Sequence, residues 1–259
     1  MAFTVSAAFS QYYESINLDG DHRATANTRR DDVVETLRGK GFHIIEAQAI
    51  GSIPRFTALK GHADVDAIVC LHYERHLKNR TPSEVMQAVR DALGEYRTNV
   101  RKNGQAVTLY YKTWPDVDIV PACGIGLGDT LLWYEIPDLS SGSWIATDPK
   151  AHDKNVEAKS TECGANFRRI VKIVKHWNIT HGNYLQGYHI EVLALQTLRG
   201  NLDDLPWEIF QFFKDAEAKV ATSLWYDISY ADSYLSSEER QQVLSRWRTA
   251  VKRSSDAWY

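Results

Sequence analysis

The chain has 259 residues, 44% of them hydrophobic and 24% charged, with a formal net charge of −3. That is enough chain to bury a sizeable core, and the composition excludes a disordered, collagen-like or disulfide-built protein. The slight acidity argues against constitutive high-affinity nucleic-acid binding, which asks for a basic excess. Cys70, Cys123 and Cys163 lie far apart with no Cys-x-x-Cys pair. A zinc ribbon is therefore not expected, and a reducing compartment is. No apolar run approaches the roughly 18 residues of a membrane span. Met1–Leu18 lacks the basic-then-apolar order of a signal peptide. A cytoplasmic protein without membrane attachment is expected.

The first forty residues read as two helices. Val5, Phe9, Tyr12, Tyr13 and Ile16 recur at helical spacing, and a second amphipathic run covers His22–Leu37. His43–Ile50 is short, apolar and β-branched and stops at Gly51-Ser52, as a strand running into a turn does; Asp64–Leu71 is a second strand. Thr81-Pro82-Ser83-Glu84 carries an N-cap, a first-turn proline and an acid at the third helical position, opening a helix to about Leu93. Asn103-Gly104 between Thr98–Lys102 and Ala106–Lys112 predicts a hairpin. Val117–Ala122 and Leu131–Ile136 are further strands. Beyond Pro149 the pattern turns helical, over Asn166–Asn178, Tyr188–Leu198, Pro206–Leu224 and Ser237–Arg253. The expected fold is α+β: a sheet lobe over residues 1–155, including the N-terminal helices, and an all-helical lobe over 156–259, with a ligand cleft between them.

The chemistry concentrates in Gly51–Asp66. Asp64 and Asp66 sit two apart on a strand and leave the same face. Neighbouring carboxylates repel unless a cation lies between them, and hard oxygen ligands suit Mg²⁺. Asp118, within Asp116-Val117-Asp118-Ile119-Val120-Pro121, supplies a third acid on another apolar strand. Three carboxylates on two adjacent strands can hold two metals. The Gly51-Ser52 turn, expected to lead from strand to helix, adds backbone N–H groups and a hydroxyl that can grip phosphate oxygens. Arg97, Arg101 and Lys102 read as a solvated basic face, and His176, His181 and His189 as packing or capping residues. Trp207, Phe210, Phe212 and Phe213 read as helix core, Trp177 as a wedge between helical lobe and sheet, and Cys123 as a small buried filler.

Gly51-Ser52 with a following basic residue and Thr57, then Asp64-x-Asp66, resembles the signature of the DNA polymerase β-like nucleotidyltransferases. The texture is most similar to the bacterial cGAS/DncV-like nucleotidyltransferases (CD-NTases), and within them to the CdnE-type clade. Asp118-Ile119-Val120-Pro121-Ala122 resembles that family's third-carboxylate motif. Tyr134–Asp138 and Trp144–Pro149 resemble its approach to the helical lobe, Lys175-His176-Trp177-Asn178 its Lys-x-Trp-Asn helix, and Gly187-Tyr188-His189-Ile190-Glu191 its Ser-Tyr-x-x-Glu helix start. These matches keep family order over about half the chain.

The resemblance implies a polymerase β-like sheet lobe plus a helical lobe. It makes Asp64, Asp66 and Asp118 ligands of two Mg²⁺ ions, with Mn²⁺ able to substitute, and makes Asp118 the acceptor of the attacking hydroxyl's proton. Gly51 and Ser52 would hold the donor triphosphate, Lys175 would meet its β- and γ-phosphates, Tyr188 would stack on the base, and Thr147 and Asp148 would line the base pocket. The implied enzyme is a nucleotidyltransferase joining NTPs, ATP among them, into a cyclic or linear oligonucleotide second messenger. A ribose hydroxyl would attack the α-phosphate and release pyrophosphate. The product would act on a separate effector protein in anti-phage (CBASS-type) defence. Gly187 departs from the family's usual serine at that position. Two other readings remain open: transfer to an RNA 3′ end or a small-molecule hydroxyl, and a catalytically idle nucleotide sensor. An RNA acceptor asks for a basic track, which the overall charge does not supply.

Overall fold

A computed structural model of the chain describes residues 4–18, 20–95, 99–127 and 130–256. Thr98, at the start of the expected hairpin, and Arg97 of the basic face lie outside the described residues. The chain forms two compact units: residues 18–55 with 61–152, and residues 1–17 with 56–60 and 153–259.

The first unit is built on a seven-stranded sheet. Its strands are β1 (Ile44–Ile50), β2 (Val65–Leu71), β3 (Val100–Asn103), β4 (Ala106–Leu109), β5 (Val117–Leu127), β6 (Thr130–Asp138) and β7 (Ser143–Thr147). They run in the order β1-β2-β5-β4-β3, with β6 on the outer half of β5 and β7 on β6. Among the described residues of this sheet only β2 and β5 pair in parallel; β1 with β2, β3 with β4, β4 with β5 and both later pairs are antiparallel. The near-continuous apolar run of β2 follows from burial on both faces. Helices α2 (Gly20–Gly39) and α4 (Pro82–Gly94) pack on this sheet, and a single turn, α3 (Tyr73–His76), follows β2. The α4 start is the expected capping box: the Thr81 side chain accepts from Glu84 N–H, and Glu84 accepts from Thr81 N–H. The Asn103-Gly104 hairpin forms, with Asn103 opposite Ala106.

The second unit is helical: α1 (Val5–Ile16), most of α5 (Pro149–Cys163), α6 (Asn166–Thr180), α7 (Gly187–Thr197), α8 (Leu205–Ala221) and α9 (Ser237–Asp256). A short hairpin of β8 (Trp225–Tyr226) and β9 (Ser229–Tyr230) precedes α9. α7 is buried from His189 through Leu195 and runs through the middle of this unit's apolar core. α1, whose chain position places it beside α2, packs on α6 and α8. The Tyr12 hydroxyl meets His176 Nδ1 at 2.5 Å, and Ile16 joins the same core as Leu59 and Phe167. Trp177, expected as a wedge against the sheet, instead packs edge-on to Phe213 and Trp247 and stacks on His181 within this unit. Phe210, Phe212 and Phe213 are core, whereas Trp207 stays 37% exposed. Among the described residues, no helix is long and apolar enough to cross a membrane.

Candidate nucleotide and metal site

The parallel pairing of β2 and β5 sets Asp66 directly opposite Asp118. The pleat puts Asp66 on one face with Ile68 and Cys70, and Asp118 with Val120 and Ala122. Those four apolar residues join Tyr134 and Ile136 in one buried cluster, so the two acids stand at the end of an apolar face. Asp64 immediately precedes β2 and keeps a solvent-facing flank. Its carboxyl is nevertheless pushed up, first by burial and then by the charges of Asp118 and Asp116. Burial and Asp116 likewise raise the Asp118 carboxyl, partly countered by the Thr108 hydroxyl, which donates to Oδ1 at 2.5 Å.

Two of these neighbours escaped the sequence reading. Thr108 lies opposite Asp118 across the antiparallel β4–β5 pair, a relation visible only once the hairpin's register is known. Asp116 braces the starts of both acid-bearing strands. Its carbonyl accepts Val65 N–H at 2.9 Å and its carboxylate accepts Tyr111 N–H at 2.7 Å. Arg29 of α2 clamps the same loop by donating to the carbonyls of Thr113 and Pro115, each at 2.5 Å, with its guanidinium over the Tyr111 ring.

The Gly51-Ser52 turn follows β1, whose last residue, Ile50, pairs with Asp66. Gly51 has φ +81, and a Cβ there would collide with the Asp66 carboxylate, 2.8 Å from its Cγ. Only glycine suits both demands. The expected phosphate grip thus lies against the expected metal ligands. One expectation is corrected: residues 52–56 form successive turns rather than opening a helix. Anion binding here would rest on turn amides and the Ser52 hydroxyl, without a helix dipole.

In the side-chain arrangement described, no three His, Cys, Asp or Glu groups converge to hold one ion among the described residues. The donor chemistry still fits Mg²⁺. It consists of hard carboxylate oxygens on adjacent strands, held so close that burial and mutual repulsion disfavour their charge.

Thr147 ends β7 opposite Tyr134, and Asp148 caps α5, its Oδ1 accepting Ala151 N–H at 3.0 Å. In the helical unit, Tyr188 sits in the first turn of α7 with its ring edge-on to Tyr226, whose hydroxyl accepts from Asn155 at 2.7 Å. Lys175 of α6 is 8% exposed. Its ammonium donates to Glu191 Oε1 at 2.6 Å and to the hydroxyl and carbonyl oxygens of Thr57 at 3.3 and 3.4 Å. A Cβ at Gly187 would stand 3.3 Å from Lys175 Cε, so the glycine makes room for Lys175 in this position. His176 and His189 make packing hydrogen bonds to Tyr12 and Tyr234, and His181 Nδ1 lies 2.7 Å from the Trp177 carbonyl oxygen. All three cysteines are buried and free, and burial raises the thiol of Cys123.

A mixed sheet with acids level on two parallel neighbours, beside a Gly-Ser turn, defines a polymerase β-like nucleotidyltransferase fold. The comparisons agree. E. coli MS115-1 CdnC, solved with ATP, superposes with a TM-score of 0.78 at 18% identity, covering 98% of this chain and 91% of that one. Bradyrhizobium diazoefficiens CdnG, solved with GTP, gives 0.75 at 14% identity over 99% and 92% of the two chains. The family of the Second Messenger Oligonucleotide or Dinucleotide Synthetase domain matches residues 3–160, and this chain belongs to it. Among curated proteins, a cyclic AMP-AMP-AMP synthase of an Acinetobacter strain is 30% identical over 135 residues. That match covers 51% of this chain and 37% of the relative.

Proposed function

We propose that the chain joins nucleoside triphosphates into a cyclic or linear oligonucleotide signal, read by a separate effector protein in anti-phage defence. The observation that carries this reading is the level pair Asp66–Asp118, with Asp64 beside it and Gly51 pressed against Asp66. Asp64, Asp66 and Asp118 would hold Mg²⁺ or Mn²⁺. Bound there, the metal would neutralise phosphate charge and favour ionisation of the acceptor ribose hydroxyl. Asp118, its Oδ1 oriented by Thr108, takes the proton of that hydroxyl. The turn amides of Gly51 and Ser52 grip the donor triphosphate, and Lys175 meets its β- and γ-phosphates on exchanging its bonds to Glu191 and Thr57. Tyr188 stacks on the base, a contact worth about 1–3 kcal/mol with little base preference. The Asp148 carboxylate is engaged at the α5 cap, so in this reading Thr147 and Asp148 shape the base pocket through backbone and residual lone pairs. The Acinetobacter relative's name supports ATP as one substrate. The CdnE-type placement is carried by the motif texture alone. Three free buried cysteines fit a reducing cytoplasm.

Purified protein given all four labelled NTPs with Mg²⁺ or Mn²⁺, then phosphatase, should yield a resistant product whose mass names the bases. Asp64→Ala with Asp66→Ala should lower product by at least about a thousandfold, with circular dichroism unchanged. A double variant that still makes product would overturn the assignment.

A further inference from the structure

Phe56–Lys60 begins four residues after Ser52 and belongs to the helical unit, where it is fastened at both ends. At its far end Lys60 N–H donates to the Ile16 carbonyl at 2.9 Å and Leu59 bridges to Asn17. The Asn17 carboxamide oxygen in turn accepts from Lys172 at 2.5 Å. At its near end Thr57, fully buried, donates its hydroxyl to Glu191 Oε1 at 2.5 Å, and the same oxygen accepts from Lys175. Between the turn and Thr57 stands Phe56, with φ +60. A bulky side chain in the left-handed region persists only where its surroundings over-determine the backbone. The buried bonds of the very next residue are such surroundings.

We propose that Thr57 and Glu191 are positioning residues for nucleotide binding. Glu191, one turn along α7 from Tyr188, captures the Thr57 hydroxyl and so fixes the direction in which the chain leaves the Gly51-Ser52 turn. Neither residue touches the nucleotide. Lys175 completes the network by matching the buried charge of Glu191 at 2.6 Å. The proposal rests on the reading that this turn and Tyr188 hold a nucleotide.

Thr57→Val removes the hydroxyl at nearly constant volume, and Thr57→Ser restores it. Hydrogen–deuterium exchange on the nucleotide-free chain should show amides between Gly51 and Thr57 exchanging roughly tenfold faster in the valine variant. Calorimetric titration with non-hydrolysable analogues of the four NTPs should show affinity lowered roughly tenfold, with the serine variant within about threefold of the unaltered chain. Should the valine variant not fold, Thr57→Ala gives the same comparison. Unchanged exchange and affinity in the variant lacking the hydroxyl would overturn the proposal. So would losses that track melting temperature alone and are not rescued by serine. If the unaltered chain binds none of the analogues, the nucleotide reading itself fails, an outcome distinct from a binding chain indifferent to Thr57.

Discussion

At the starts of β2 and β5, Asp64, Asp66, Asp116 and Asp118 gather one sign of charge, and the carboxyls of Asp64 and Asp118 are pushed up from their ordinary values. In the helical unit, Lys175 and Glu191 bury one charge of each sign at 2.6 Å, with the Thr57 hydroxyl on the same carboxylate oxygen. In the first group Asp64 and Asp118 strain against their own ionised forms, a burden that a bound cation would relieve. The second is answered from within the protein, and its cost emerges only when a partner is removed. Charge left under repulsion marks where a ligand is awaited, while charge matched in place marks how the chain is held.

The strongest way to break this comparison is to unmatch the matched pair. Glu191→Gln leaves the Lys175 ammonium buried beside a neutral amide and should destabilise the helical unit by about 3–5 kcal/mol. Adding Lys175→Met should recover part of that loss, because the double variant no longer buries an ammonium against a neutral amide. Urea denaturation of the four forms measures the coupling. Additive losses would mean that the pair is not matched in the sense argued above.

Much of this arrangement was legible in the sequence, for definite reasons. The acids interrupt apolar β-branched runs, which is why Asp64, Asp66 and Asp118 stood out, and the Thr81–Glu84 capping box gave α4 its start. Elements with weak periodicity were missed: α5 begins at the Pro149 where only a lobe boundary was read, and β8 and β9 are two residues each. Local pattern also says nothing about distant partners. Thr108 against Asp118, and Thr57 against Glu191 across 134 positions, are products of tertiary register. Lys175 was legible as a cation beside the nucleotide motifs, but its buried carboxylate partner was not. The helix expected after Gly51-Ser52 failed because a glycine-serine turn at a strand end does not dictate the conformation of the residues beyond it.

A smaller effect sharpens the comparison from a third buried polar group. His189 is fully buried, its Nδ1 sharing a 2.9 Å hydrogen bond with the Tyr234 hydroxyl. Burial above all, with Arg240 adding to it and Asp232 opposing, lowers its pKa to about 4. The fold therefore favours neutral imidazole. Its contribution is intact above the ordinary histidine pKa and is lost as pH falls from about 6.5 toward 4, because the unfolded chain takes up a proton that the fold refuses. At pH 5 the loss should be about 2 kcal/mol relative to pH 7.5. Denaturation of the parent and of His189→Gln at both pH values isolates it: the variant should lose less between them, and identical slopes would remove His189 from the account.

The smallest shift tests the carboxylates directly. A carboxyl whose folded pKa is raised lowers stability as pH climbs through the carboxylate range, so at pH 7 Asp118 is a burden on the metal-free fold. Asp118→Asn keeps an oxygen for the Thr108 hydroxyl while deleting the charge. It should raise the melting temperature by roughly 1–3 °C at pH 7, and the gain should shrink as pH falls through the carboxylate range and the parent carboxyl takes up its proton. Mg²⁺ should raise the parent's melting temperature and move the variant's less, because the variant has one anionic donor fewer. Stabilisation by a substitution that also ends product formation is the signature of a residue kept for chemistry at the expense of the fold. A lower melting temperature at pH 7 would instead place Asp118 with Glu191, among charges the protein already satisfies, and the contrast between the two regions would collapse.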